Sequence, residues 1–194
     1  SKDKTRLRYV FDFADTSPRD DRSKEPFFWS ITEENRQLVG NALGSSTGSI
    51  DSCLIGKAHE LAKQYSADYS KELFNATNGT FLEELDDFNV QVKFEQLLDT
   101  RLSYSLLSRC GYEPSAYFDE DDFRGIHDFN STEAMSVLGT AVSDLSEQVL
   151  RTIERTLKDF ERSKKYGRND ITQNNQRERN GVHSGRGNTD LSSE

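Results

Sequence analysis

The stretch Phe94-Glu95-Gln96-Leu97-Leu98-Asp99-Thr100-Arg101-Leu102-Ser103-Tyr104-Ser105-Leu106-Leu107-Ser108-Arg109-Cys110-Gly111-Tyr112-Glu113-Pro114 spells out both the body and the end of a helix. Phe94, Leu97, Leu98, Leu102, Leu106 and Cys110 step by three, one, four, four and four, which puts them on one apolar face. Gly111 suits the left-handed residue that closes a helix, and Pro114 just beyond cannot prolong one.

The same period extends outward. Leu54, Ala58, Leu61, Tyr65, Tyr69 and Leu73 predict one amphipathic helix, ended by Asn78-Gly79. Thr80 with Glu83 restarts a short turn whose acids (Glu83, Glu84, Asp86, Asp87) suit a helix N-terminus. Asp119 can cap a turn carrying Phe123 and Ile126. Asn130 and Glu133 frame a helix with Met135 and Leu138, and Gly139 reads as its break. Val142, Leu145, Val149, Ile153, Leu157 and Phe160 predict a longer helix from about Thr140 to Lys165. On the N-terminal side, Phe27-Phe28-Trp29 is an apolar plug. Ser30 with Glu33 is a capping-box pattern before a helix over Thr32–Leu43, stopped by Gly44 and the loop to Gly48.

The two ends read differently. The chain starts Ser1-Lys2-Asp3-Lys4, without Met or a signal pattern, and enters Leu7-Arg8-Tyr9-Val10-Phe11-Asp12-Phe13, an alternating β-branched and aromatic strand. A lone strand is not stable, so Ser1 reads as an internal start and the strand as the remnant of an upstream sheet. Residues 14–26 are a polar connector. Residues 166–194 are rich in Asn, Gln, Gly, Ser and Arg, too polar to offset ordering entropy, and read as a disordered tail or linker. The expected organisation is thus 1–29 strand and connector, 30–165 a mainly α helical bundle, and 166–194 tail.

Composition limits the function. The 194 residues include 25 Lys and Arg against 34 Asp and Glu, a net charge of −9, and 33 % apolar residues. No apolar run approaches the ~20 residues of a membrane span. Over 161–194 seven basic residues face five acidic ones, +2, which leaves −11 on 1–160. That balance argues against a general nucleic-acid binder, although Arg168, Arg177, Arg179 and Arg186 could touch phosphates weakly. Cys53 and Cys110, far apart and without a metal-ligand spacing, read as reduced thiols of a cytoplasmic protein.

The chemical motifs fail one by one. His59-Glu60 opens an HExxH pattern, but Lys63 stands where the second imidazole must be. The acidic run Asp119–Asp122 lacks the Gly and the bidentate Glu of a calcium loop, because Arg124 and Asn130 occupy those places. Ser45-Ser46-Thr47-Gly48 is followed by Ser49, not the Lys of a phosphate loop. No catalytic, cofactor-binding or metal-ligating residue is assigned, and no cofactor is expected.

Three stretches nonetheless resemble a known group. Leu7–Thr16 is similar to an RYVFDVSDT strand, and Phe81–Val90 to an LLEELDDLNV segment. Ser108–Pro114, Asp122-Phe123, Asp128–Ser131 and Leu138–Asp144 together resemble RCGIDPxxYFxxEDFxxIxxFNTxxxxxxLGxAxSDIxE. These occur in order near the N-terminus of very large proteins of conjugative and other mobile elements, which carry DNA adenine methyltransferase and Snf-type helicase modules downstream. The resemblance spans roughly 6–165 and its motifs are not catalytic. It implies that the first strand closes a domain like the single-stranded-DNA-binding region of ArdC-type antirestriction proteins. The expected function is a non-enzymatic connector or interaction module of such a protein. Its partners would be other domains of the same protein, and DNA would be contacted only through regions outside this chain. The alternative is an acidic DNA mimic that inhibits a restriction enzyme.

Overall fold

The computed structural model describes residues 29–44 and 48–182, with side chains as far as Lys165. The Leu7–Phe13 strand, the 14–26 connector, Phe27-Phe28, Ser45–Thr47 and residues 183–194 lie outside the described residues. The described chain is mainly helical: α1 (Arg36–Ala42), α2 (Ile50–Tyr65), α3 (Ser70–Asn75), α4 (Asp87–Arg109) and α5 (Thr132–Val182), with 3-10 turns at Ser66–Tyr69, Pro114–Ala116 and Asp121–Asp128. No described helix is long and apolar enough to cross a membrane.

Helix α4 is the centre of the fold. Val90, Phe94, Leu97, Leu98, Leu102, Leu106 and Leu107 are buried, a stripe wide enough to serve α2 on one side and α5 on the other. Its start is fixed by Asp86, whose carboxylate accepts from the Asn89 backbone N–H at 2.9 Å. Its end follows the quoted sequence: Gly111 takes φ +83°, Gly111 N–H reaches Ser108 O at 3.2 Å, and Tyr112 N–H reaches Leu107 O at 3.0 Å.

Three polar contacts at four-residue intervals along α4 set the antiparallel register with the preceding segment. Gln91 Oε1 accepts from Ser70 Oγ at 2.6 Å, Glu95 Oε2 accepts from Ser66 Oγ at 3.1 Å, and Asp99 Oδ2 pairs with His59 Nδ1 at 2.8 Å. Helix α5 runs in the same sense as α4. The Phe94 ring meets Phe129, just before α5, at 6.2 Å, while Ser105 and Arg109 face Val142–Leu150 further along. Parallel neighbours need a return crossing, which residues 110–131 supply. Ala134, Leu138, Ala141, Leu145, Val149, Ile153 and Leu157 close the core from α5, and α1 adds Val39 near its far end.

The boundaries differ from the sequence reading at five places. The 54–73 stripe is not one helix, because Ser66–Tyr69 tightens into a 3-10 turn where Ser66 and Ser70 bond to α4 and the Tyr69 ring packs at 6.3 Å on Phe94. The first helix starts at Arg36, since buried Asn35 builds a turn before it. Its Oδ1 accepts from Thr32 N–H at 2.8 Å and its Nδ2 donates to Ser30 O at 3.0 Å, while Glu33 pairs with Arg36. Ser131, not Asn130, caps α5, accepting from Ala134 N–H at 3.1 Å. Gly139 does not break α5: it is exposed, and a Cβ there would meet nothing within 4 Å. The helix also runs on to Val182, so its end does not fall at the 166 boundary.

Candidate functional site

The residues weighed for chemistry are scattered and engaged in structure. His59 is an exposed α2 residue bound to Asp99, Glu60 pairs with Lys57 at 2.8 Å, and Lys63 is exposed. In the 119–122 run the carboxylates serve the turn itself. Asp122 accepts from Asp119 N–H at 2.9 Å, Asp119 accepts from Asp121 N–H at 2.8 Å, and Asp121 pairs with Arg124 at 2.7 Å. Cys53 and Cys110 are free, and burial pushes the Cys110 thiol up to about 11. Among the described residues no group of three or more His, Cys, Asp or Glu is placed to hold a metal ion.

An open groove of about 640 Å³ lies between α4 and α5, bordered by Trp29, Arg109, Ser146, Leu150 and Arg151. Its charges cancel, because Arg109 and Arg151 face Glu147 and Glu154, and Arg151 is already paired with Glu147. It offers no net field to a charged ligand.

The turn leading into α4 is built differently. Thr80 and Leu82 are buried and Leu85 is partly buried, which anchors the turn from below. Gly79, at φ +75°, donates its N–H to Glu83 Oε2 at 2.8 Å, and Phe81 N–H reaches across 49 residues to Asn130 Oδ1 at 3.2 Å. On this fixed frame Phe81 is 68 % exposed and Phe88 75 % exposed, and Val92 lies one turn beyond Phe88 on the same ridge. Glu83, Glu84, Asp86 and Asp87 stand among them, all exposed. Two capped carboxylates (Glu83 and Asp86) hold the turn, whereas Glu84 and Asp87 have no ion-pair partner among the described residues.

Sequence reasoning read the four acids as a helix start, which Asp86 and Asp87 are, but did not single out the two phenylalanines. The signal was available. Phe88 is two residues before Val90 and so lies on the opposite side of α4 from the Val90–Phe94–Leu97 stripe.

No protein-family model, curated protein or solved structure matches the chain. The class that the described residues define is a mainly α packing unit with an acidic, aromatic turn at one end.

Proposed function

We propose that the chain is a non-catalytic helical connector or interaction module of a large mobile-element protein that processes DNA, carrying methyltransferase and helicase modules elsewhere. The supporting observation is what the resembling stretches do. Phe81–Val90 supplies Leu82 and Val90 to the core, and Ser108–Asp144 supplies Phe129, Leu138 and Ala141 together with the Gly111 helix end. The two stretches also meet, through Phe81 N–H on Asn130 and the nearby Lys93–Asp128 pair at 2.8 Å. Leu82, Val90, Phe129, Leu138, Ala141 and Gly111 are spent on packing and capping, while Phe81, Glu84, Asp87 and Phe88 stay exposed, which favours a scaffold or interaction role over a catalytic one.

Reading the frame on either side of the chain tests this. Methyltransferase or helicase motifs in frame after Glu194 are expected. A frame that closes there, with purified chain inhibiting a restriction digest, would overturn the connector in favour of the acidic DNA mimic.

A further inference from the structure

We infer that the turn and first helical ridge formed by Phe81, Glu84, Asp87, Phe88 and Val92 are a docking surface for a basic, amphipathic segment of another protein domain. Exposed apolar residues occurring singly are ordinary, so a single phenylalanine would carry nothing. Here two of them, at 68 % and 75 % exposure, fall within eight residues, on the order of 300 Å² of aromatic surface at ~200 Å² per ring. Leaving that surface in water weakens no internal contact, since Leu82, Leu85 and Val90 already fill the space beneath.

Rigidity is the second argument. The Gly79–Glu83 bond, the Phe81–Asn130 bond and the Asp86 cap hold the backbone on both sides of Glu84. A surface ordered before binding loses less entropy when a partner arrives, so its few contacts convert more fully into affinity.

Charge selects the occupant. From residue 72 to 92 the chain has five carboxylates, four of them within 83–87, and no Lys or Arg. Among the described residues Glu84 and Asp87 have no ion-pair partner, so they can pair with cations of a partner while the phenyl rings take its apolar side chains. A second copy docking through the same face would set like charges against each other. Nucleic acid and anionic lipid are repelled for the same reason. A helix with Lys or Arg flanking an apolar stripe satisfies both features.

This names a partner chemistry for the interaction module proposed above and rests on that reading. The reading frame decides the module, and peptide binding decides the surface, so the two can fail separately. The test is a fluorescence titration of the 194-residue chain with a labelled Lys/Leu amphipathic helical peptide, and with a Glu/Leu peptide of the same pattern. The Lys/Leu peptide should bind in the micromolar range, ~tenfold more weakly when salt rises from ~50 to ~300 mM. Phe81→Ser/Phe88→Ser and Glu84→Lys/Asp87→Lys should each weaken it at least ~tenfold with unchanged circular dichroism, because these side chains support no core contact. Melting should be unchanged for the phenylalanine variant and only slightly lowered for the lysine variant, whose Asp87→Lys places a cation at the start of α4. The charge-matched Glu120→Lys/Glu161→Lys chain should bind as the parent does. Equal loss in that control would show general attraction to an acidic protein and overturn the inference. So would equal binding of the Glu/Leu peptide, undiminished binding by the phenylalanine variant, or self-association that the phenylalanine variant abolishes.

Discussion

Leu98 on α4 and Leu145 on α5 are 0 % and 1 % exposed and belong to the buried apolar core. Leu98→Asp or Leu145→Asp would bury an unpaired carboxylate and should cost ~3–5 kcal/mol, a large part of the ~5–15 kcal/mol that holds a domain of this size. Urea unfolding followed by circular dichroism measures it, and full tolerance of both changes would contradict the packing. Cys110 gives a pH dependence. Its thiol is raised to about 11 by burial, above the ~8.5 of an unfolded cysteine, so its contribution is complete below ~8.5 and lost as pH rises through about 11. Partly buried Tyr69 and Tyr112, also raised by loss of solvent, act in the same direction. The urea midpoint should fall between pH ~8 and ~11, and native labelling of Cys110 at pH ~8 should be far slower than in denatured chain. Equal labelling rates would show the thiol is not buried. At this scale the core positions were legible from spacing alone, as Leu98 and Leu145 both lie on sequence stripes. Asn35 was not, because a buried amide that closes a turn has no period to betray it.

Helix ends are decided by single side chains and by glycine, which explains where element boundaries could and could not be read. Gly111 followed by Pro114 announced the end of α4 correctly, since only the left-handed conformation, φ +83° here, requires a residue without Cβ. Gly139 offered the same letter without that requirement. It lies inside α5 with open space around its Cα, so Gly139→Ala should stabilise the chain by ~0.5–1 kcal/mol through the unfolded state. A differential melting measurement decides: a lower melting temperature would restore the break that the sequence suggested. The cap of α4 makes the opposite forecast. Asp86→Ala removes the acceptor for Asn89 N–H and should cost ~1 kcal/mol in urea unfolding, whereas no loss would mean that α4 starts elsewhere. The split of the 54–73 stripe was invisible for a different reason. Its cause is long-range, in the Ser66–Glu95 and Ser70–Gln91 bonds, and one strand of apolar spacing cannot report a partner 21 or 29 residues away.

The whole molecule combines a core of three main helices with a strongly negative body. Charge asymmetry was readable at once, −11 over 1–160 against +2 beyond, but charge says what a surface avoids more readily than what it seeks. What the surface offers emerged only when the fold showed Phe81 and Phe88 facing out beside the carboxylates at 83–87. The connector account places DNA contact outside this chain, and phosphate binding needs clustered cations that release counterions. A titration of the chain with a single-stranded oligonucleotide at ~150 mM salt tests that most directly. The account predicts no more than weak non-specific association, ~10⁻⁴ M or worse. Micromolar affinity that survives removal of residues 161–194 would contradict it, because the acidic helical body would then itself be the DNA-binding element.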